Sequence, residues 1–369
     1  MVNTDSLLAG FAGLTLKHLV MFAVGGVLIW LAIAKDYEPN LLLPIGFGAL
    51  LANIPFSAAV APGGFLELLN RVGIMSELFP ILIFIAIGAM CDFGPLLQHP
   101  SLMLFGGAAQ FGVFFTLVAA AALGFPLQAA ASIGIIGAAD GPTSIYVATR
   151  FAPRLLAPIT VAAYSYMALV PIIQPFVIRK LTTSKERRIR MTLSREGVSR
   201  TTLILFPIGV TLLAGMVAPI SVPLIGSLMF GNLIRESGVV PNLSKSAQNE
   251  LANLVTLLLG ITIGSTMQAE TFLTPTTLLI LGLGLVAFVA DTAGGVLFAK
   301  FLNLFLKTKI NPMIGAAGIS AFPMSARVIA RMSTKEDPQN HILMHAVGAN
   351  VSGQIASIMA GGLILALIK

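Results

Sequence analysis

The chain is poor in cysteine, histidine and charged residues, and each shortage excludes a class of protein. Cys91 is the single cysteine in 369 residues, so no internal disulfide is possible. Four scattered histidines lack the spacing of metal ligands, which argues against structural zinc or haem ligation. Charged residues make up 10% of the chain and hydrophobic residues 56%, a balance that disfavours a soluble enzyme.

Apolar runs of helix length recur along the chain. HLVMFAVGGVLIWLAIA (18–34) and LILFPIGVTLLAGMVAPI (203–220) approach the roughly 20 residues that span a bilayer, and they lack the alternation of strands. The first residues lack the basic start of a cleavable signal, so we expect the first run to be retained. We predict an all-α polytopic membrane protein with about ten or eleven transmembrane helices.

Positive charge is concentrated between the apolar runs. The net charge is +7, and residues 179–200 hold eight of the 22 Lys and Arg residues against two Glu. Because positive loops stay on the cytoplasmic side, we place this loop in the cytoplasm and expect no nucleic-acid partner. A second interpretation is that the loop docks an acidic soluble partner or anionic membrane lipid.

Two pairs of segments indicate an internal duplication. GAADGPTSIYVATR (137–150) and GISAFPMSARVIAR (318–331) share five of fourteen positions without gaps, at an offset of 181 residues. PIGFGALLAN (44–53) and PLIGSLMFGN (223–232) share their first and last residues at an offset of 179. In transporters, broken helices at corresponding positions of two repeats mark the substrate or ion site near the bilayer midplane.

The predicted organisation is therefore two repeats with discontinuous helices around Pro142 and Pro323. We expect the repeats to be inverted, as in many transporters, although the sequence does not fix the number of crossings per repeat. The predicted parts are an N-terminal helix (1–36), repeat 1 (37–178), a basic cytoplasmic loop and linker (179–202), and a linker helix with repeat 2 (203–369).

Asp140 is a carboxylate inside one of the most apolar parts of the chain, and Gly141 and Pro142 follow it directly. A carboxylate at the bilayer centre costs about 2.5–3.5 kcal/mol, so it needs a cation, a proton or a water-filled cavity. Gly141 and Pro142 unwind the helix and free carbonyls that can share in binding a hard monovalent cation. Alternatively, Asp140 caps the half-helix that follows, and the two roles are compatible.

Further polar groups lie within or after the broken segments. Asp291 is a second intramembrane carboxylate and a candidate cation or proton site. Tyr164 and Tyr166 point about 200° apart on a helix, so one of them can face Asp140. Isolated hydroxyls in membrane helices commonly serve helix packing, which is the alternative here. An oxygen-only set of ligands suits Na⁺ better than softer metals.

Long tracts resemble one known family. GAADGPTSIYVATR, AAYSYMALVPIIQPFVIRKLTTSKERRIRM, MFGNLIRESGVV and ILMHAVGANVSGQIAS are similar to the membrane β subunit of the biotin-dependent, sodium-pumping decarboxylases. That family includes the oxaloacetate, methylmalonyl-CoA, glutaconyl-CoA and malonate systems. The resemblance implies that the subunit receives carboxybiotin from a mobile carrier, releases CO₂ while consuming a proton, and exports Na⁺.

The resemblance also implies particular site residues. Its sodium-binding aspartate falls on Asp140, its functional tyrosine on Tyr166, and its functional asparagine and serine on Asn350 and Ser357. The family's Gly-Pro-Asn is Gly-Ala-Asn here, and its Ile-Gly-Ser is Ile-Ala-Ser, changes that bear on backbone shape more than on ligands. We expect Asp140 and Tyr166 to be catalytic and Na⁺ to bind Asp140, Tyr166, Asn350 and Ser357. The full set of candidate substrate- and ion-binding residues is Asp140, Thr143, Ser144, Tyr166, Asp291, Ser325, Asn350 and Ser357.

The implied cofactors are Na⁺ and biotin, the latter as carboxybiotin on a partner protein. The implied partners are a biotin carrier protein or domain, a carboxyltransferase subunit and a small membrane subunit of the γ or δ type. We expect a homo-oligomer within a larger complex in the inner membrane of a prokaryote. Composition and spacing alone lead only to a cation-coupled transporter, so a secondary Na⁺-coupled anion transporter of inverted-repeat design is the alternative.

Overall fold

The computed structural model describes residues 9–192 and 197–368. Residues 1–8 of the predicted N-terminal helix and residues 193–196 of the predicted basic loop lie outside the described residues. The described residues form helices and turns with no strand among them, which confirms the predicted all-α class.

The first half of the chain runs through helices of very unequal length. A π-helical turn (Asn70–Ile74) extends α3, and 3₁₀ turns precede α6 and α10 and follow α8. The helices are α1 (Leu16–Lys35), α2 (Pro39–Ala52), α3 (Phe65–Leu69), α4 (Leu78–Met90), α5 (Gly94–Gln98), α6 (Met103–Ala108), α7 (Phe111–Ala122), α8 (Leu127–Gly134), α9 (Gly141–Phe151), α10 (Leu156–Leu181) and α11 (Ser184–Arg187).

The second half follows a similar order of long and broken helices. It too contains a π-helical turn, Ala247–Leu251, between two helices. Its helices are α12 (Arg200–Val217), α13 (Val222–Ser237), α14 (Pro241–Ser246), α15 (Ala252–Ser265), α16 (Ala269–Phe272), α17 (Pro275–Phe305), α18 (Met313–Ala316), α19 (Met324–Glu336) and α20 (Leu343–Leu367).

Six helical stretches of the described chain are long and apolar enough to cross a membrane, which makes this a multi-pass membrane protein. The bent unit of α3 and α4, with an angle of 62° at its break, gives a seventh span if it crosses as one. The predicted ten or eleven crossings exceed this count because other apolar segments are short or interrupted. The six stretches are Leu16–Lys35, Pro100–Ala122, Pro153–Leu181, Arg200–Val217, Pro275–Phe305 and Leu343–Leu367.

Glycines let helices of the two halves pack backbone against backbone. A Cβ on Gly231 of α13 would lie 2.0 Å from the Ile85 carbonyl oxygen of α4. A Cβ on Gly264 of α15 would lie 2.1 Å from the Ile45 carbonyl oxygen of α2. Without a hydrophobic driving force between membrane helices, such close approach supplies the packing energy. The two halves therefore brace each other through two glycine-mediated helix pairs, α4 with α13 and α2 with α15.

We expect Gly231→Ala to destabilise the protein by about 1–3 kcal/mol or more, because the added methyl must push α13 away from α4. Gly209→Ala on α12 is the control, since a Cβ there meets no atom within 4 Å. Thermal unfolding in detergent measures the difference. Equal melting temperatures for the two variants would contradict the close packing.

Ion pairs fix the basic loop after α10 to the end of α19. The Arg187 Nε lies 2.7 Å from Glu336 Oε1, and the Arg190 Nε lies 2.7 Å from Asp337 Oδ2. Burial alone would raise the pKa of Glu336, but hydrogen bonds from Arg187 and Ser184 hold it below its usual value. The Arg190 guanidinium and a backbone N–H lower the pKa of Asp337.

These shifts predict that the loop detaches in acid. Because both carboxyl pKa values are lowered on folding, the contact is complete above their ordinary values of 4.5 and 3.8. It is lost as the pH falls through the lowered values. Hydrogen exchange of residues 182–192, corrected for the intrinsic rate, should rise over that range. Exchange that stays constant down to pH values below both pKa values would contradict the prediction.

Candidate functional site

The first broken segment places a carboxylate at the start of a half-helix. After α8, the 3₁₀ turn Ile135–Ala138 ends at Ala139, whose φ of +51° reverses the chain. Asp140 is then the N-cap of α9, and its Oδ1 accepts a hydrogen bond of 3.1 Å from the backbone N–H of Thr143. The capping role considered from the sequence is therefore present, with Pro142 in the first turn of α9.

The second broken segment is held open by amide side chains of α20. Between α18 and α19, the Asn350 Nδ2 donates to the carbonyls of Ala317 (3.2 Å) and Ile319 (2.7 Å). The Gln354 Nε2 donates to the carbonyl of Ser320. At membrane depth, backbone groups freed by such a break must find partners within the protein, and these amides supply them.

The two broken segments meet at Asp140. The Ser320 backbone N–H donates to the Ala138 carbonyl at 2.9 Å, which joins the two breaks directly. The Ser320 hydroxyl donates to Asp140 Oδ2 at 3.0 Å, and the Ser357 hydroxyl of α20 donates to the same oxygen. One carboxylate of the first half is thus surrounded by hydroxyls of the second half.

Asp140 is buried, with 3% of its surface exposed, and its neighbours compensate its charge only in part. Thr143 contributes a hydroxyl at 2.8 Å in addition to its backbone N–H. Within the described part of the chain, no Lys, Arg or His forms an ion pair with this carboxylate. A buried carboxylate without a basic partner requires a bound cation or a proton.

The groups around Asp140 suit a hard cation. Hydroxyl oxygens of Thr143, Ser320 and Ser357 lie at the carboxylate. Asn350 Oδ1 and Gln354 Oε1, on the same helix as Ser357, are buried and have no hydrogen-bond partner among the described residues. Among the described residues, no cluster of three His, Cys, Asp or Glu side chains could hold a softer metal. The donor set is therefore chemically suited to Na⁺.

The two tyrosines of α10 occupy different surroundings. The Tyr166 hydroxyl donates to the Leu281 carbonyl of α17 rather than to Asp140. The Tyr164 ring lies against the site, since a Cβ on Gly141 would be 2.2 Å from Tyr164 Cζ. The buried Tyr164 hydroxyl has no hydrogen-bond partner within residues 9–192 and 197–368. Tyr164 is thus the tyrosine beside Asp140 in this conformation, and a role for Tyr166 stays a prediction.

The remaining hydroxyl candidates lie outside the oxygen cluster at the Asp140 carboxylate. The Ser144 hydroxyl donates to the Asp140 main-chain carbonyl at 2.8 Å, within the first turn of α9. Ser325 instead bonds to Gln174 of α10, at 2.8 Å from its Nε2, and to the carbonyl of Ala316 at 3.2 Å. The structure therefore brings together Asp140, Thr143 and Ser357, and it places Ser325 in a neighbouring polar cluster.

Asp291 lies against a third helix interruption. Its Oδ1 accepts a hydrogen bond of 3.1 Å from the Val113 backbone N–H at the start of α7, while Oδ2 has no partner in the part of the chain that the structure describes. A Cβ on Gly137 would lie 2.7 Å from that free oxygen. Asp291 is thus adjacent to the turn that leads into Asp140 but separate from the carboxylate cluster. Its role as a second cation or proton site stays a prediction.

Ser320 is the contact that the sequence interpretation missed. Its hydroxyl touches Asp140, although 180 residues separate the two positions. A signal was present, because the repeat alignment pairs Ser320 with Ala139, one position before the carboxylate. Gln354 was visible only as one polar residue of α20, and its contact with the second break depends on the fold.

Comparison with known proteins places the chain in a family. The family model described as "Na+-transporting oxaloacetate decarboxylase beta subunit" matches residues 17–368. The methylmalonyl-CoA decarboxylase subunit beta of Propionigenium modestum is 49% identical, over 97% of this chain and 96% of the relative. The oxaloacetate decarboxylase beta chain of Klebsiella pneumoniae is 45% identical, over 98% of each chain.

A third relative has a different acyl substrate in its name. The glutaconyl-CoA decarboxylase subunit beta of Acidaminococcus fermentans is 49% identical, over 98% of this chain and 96% of the relative. The similarity thus extends across the whole helical architecture, including both broken segments and α20. The chain belongs to the family of Na⁺-transporting decarboxylase β subunits.

Proposed function

We propose that this chain releases CO₂ from carboxybiotin, consumes a proton in doing so, and couples the reaction to export of Na⁺. The observation that carries the proposal is the buried Asp140 carboxylate at the junction of two broken segments. Moving one Na⁺ outward against 100 mV costs about 2.3 kcal/mol, so transport needs an exergonic step. Decarboxylation supplies that step.

Asp140 serves both halves of the proposed cycle. With Na⁺ bound, the carboxylate is balanced by the cation and by hydroxyls from both halves of the chain. When Na⁺ leaves, a proton neutralises the same carboxylate. In the decarboxylation, the bond between the carboxyl carbon and the ring nitrogen of biotin breaks, CO₂ departs, and that nitrogen takes up the proton. Na⁺ and the proton thus compete for overlapping positions.

We propose that Ser320 and Ser357 sense which ion is present. Both hydroxyls donate to Asp140 Oδ2 in this conformation, which a carboxylate oxygen can accept. A proton on that oxygen would turn it into a donor and force at least one serine to rotate. Because Ser320 lies in the second break and Ser357 on α20, this rotation changes the hydrogen bonds that connect the second half to the first.

The chain is proposed to consist of repeats 37–178 and 203–369, connected by the linker 179–202. The similar helix order and the π-helical turns at corresponding places support this division. We place loop 179–200 in the cytoplasm on the basis of its positive charge. We place the chain as a whole in the inner membrane of a prokaryote. The proposed partners are a biotin carrier, a carboxyltransferase subunit, a small membrane subunit and further copies of this chain.

Reconstituted vesicles test the proposal. The chain, together with its small membrane partner, should release CO₂ from carboxybiotin in NaCl and release far less in choline chloride. Vesicles with the decarboxylation face outward should accumulate ²²Na⁺ while CO₂ is released. Uncarboxylated biotin is the matched control and should drive no accumulation.

The alternative gives the opposite pattern. A secondary Na⁺-coupled anion transporter would move ²²Na⁺ with its anion in the absence of any biotin compound. If the vesicles released no CO₂ under any salt condition but still transported Na⁺, the decarboxylase proposal would be wrong.

A further inference from the structure

A cavity of about 280 Å³ lies away from Asp140, between the basic loop and the first turn of α20. It combines residues from four parts of the chain: the turn between α5 and α6, the loop after α11, the loop after α17, and α20. Its lining includes four basic side chains, which are His99, Arg190, Lys309 and His345.

The two cations of the cavity are anchored but keep free donors. Lys309 Nζ donates to the carbonyls of Asn303 (2.6 Å) and Leu306 (2.9 Å), which leaves one ammonium hydrogen. Arg190 uses Nε and Nη2 for Asp337, at 2.7 and 3.1 Å, and three of its five N–H groups have no partner among the described residues. A carboxylate in the cavity could therefore bind to cations whose positions are already fixed.

The two histidines add a polar aromatic wall to the cavity. Their rings are stacked, with centroids 5.1 Å apart. His345 is 2% exposed, and among the described residues neither its Nδ1 nor the Nε2 of His99 has a hydrogen-bond partner. Both of these nitrogens are buried, so the remaining parts of the two rings form the wall of the cavity.

The remaining walls of the cavity are mostly apolar. A ligand that fits the cavity therefore combines an anionic group for the two cations with a compact ring for the imidazole and aliphatic walls. The apolar walls are Leu102, Met191, Leu306 and Ile310.

We propose that this cavity is the first binding position of the carboxybiotin head group, with its carboxylate at Lys309 and Arg190 and its ureido ring beside the stacked rings of His99 and His345. The apolar ring of biotin lies against the aliphatic walls. This inference rests on the function proposed above and adds the residues that receive the substrate.

The cavity is separate from the ion site. His345 and Ser357 lie on the same helix, twelve residues apart, which corresponds to about 18 Å. The carrier thus delivers its head group at the basic end of the molecule, three helical turns from the carboxylate that binds the ion. Loading can then be distinguished experimentally from coupling.

Binding of a fluorescein-labelled biotin carrier to the purified membrane complex tests the inference. Anisotropy is recorded with the carboxylated and the uncarboxylated carrier, for wild type and the variants Lys309→Gln and His345→Gln. We expect Lys309→Gln to weaken binding of the carboxylated carrier about tenfold, as for loss of a charge-assisted hydrogen bond. His345→Gln should weaken binding of both carrier forms, because the ureido ring is present in each. Lys307→Gln is the charge-matched control, because Lys307 is exposed and does not line the cavity.

Kinetics provide a second measurement that a merely structural defect would not reproduce. The cavity variants should raise KM for the carboxylated carrier while leaving kcat and the Na⁺ dependence near wild type. Equal binding of the two carrier forms by wild type, or variants that behave like Lys307→Gln, would overturn the inference. If the proposed function itself were wrong, the wild-type protein would release no CO₂, whether or not it bound the carrier.

Discussion

Asp140→Asn should lower Na⁺-dependent decarboxylation by about 100-fold or more while the protein remains folded. The amide has nearly the same shape, and its oxygen can still accept the hydrogen bond from the Thr143 N–H that caps α9. It cannot carry a negative charge or exchange Na⁺ for a proton. The variant therefore removes the coupling chemistry and retains the helix cap.

The rate of CO₂ release from carboxybiotin and the uptake of ²²Na⁺ measure this effect. Asp92→Asn is the control, because Asp92 lies outside the site and bonds to the backbone N–H of Gly94. Full sodium-coupled decarboxylation in Asp140→Asn would contradict the role given to this carboxylate. Release of CO₂ without Na⁺ uptake would show that the charge is needed for coupling alone.

Ser357→Ala should raise the Na⁺ concentration for half-maximal activity by about tenfold or more. The hydroxyl donates to Asp140 Oδ2, and a hydrogen bond to a charged group is worth about 1.5–3 kcal/mol. Its loss removes one oxygen from the cation site and one of two links between the carboxylate and the second half. Ser320 remains as the other link.

Ser352→Ala is the matched control for this prediction. Ser352 lies on the same helix and is equally buried, but its hydroxyl donates to the carbonyls of Leu102 and Ala349. Its removal should leave the Na⁺ dependence near wild type. If both serine variants shifted the Na⁺ dependence alike, the effect would belong to helix packing rather than to the ion site.

The sequence predicts the centre of the site because local chemistry determines it. A carboxylate followed by glycine and proline within an apolar run must interrupt the helix, and the structure shows Asp140 capping α9. The matched motif around Pro323 likewise predicts the second interruption, and the chain breaks between α18 and α19. Both features depend on neighbouring residues rather than on the tertiary fold.

The sequence does not predict which distant side chains complete the site. Ser320 reaches Asp140 only because the two broken segments pair through Ala138, a contact that no local pattern encodes. Asn350 was identified by resemblance, but its observed contacts hold the second break open. Tyr164 lies beside Gly141, whereas Tyr166 bonds to α17, and helical periodicity alone could not choose between the two faces.

Hydropathy alone also does not give the number of membrane crossings. Segments such as Pro39–Ala52 are apolar enough to be buried but too short to span the bilayer alone. The glycine contact between α2 and α15 shows how such a segment is accommodated by packing against another helix. An apolar segment of this chain can therefore be a short helix buried against other helices or a helix that crosses the membrane.

Protection of Asp140 by Na⁺ tests the central claim most directly. A hydrophobic carbodiimide modifies a buried carboxyl group when it carries a proton, and mass spectrometry of the peptide containing Asp140 quantifies the product. We expect Na⁺ to prevent the modification, with half-protection at the Na⁺ concentration that half-saturates decarboxylation, whereas choline does not protect. Modification of Asp140 at the same rate with and without Na⁺ would contradict the binding of Na⁺ at this carboxylate.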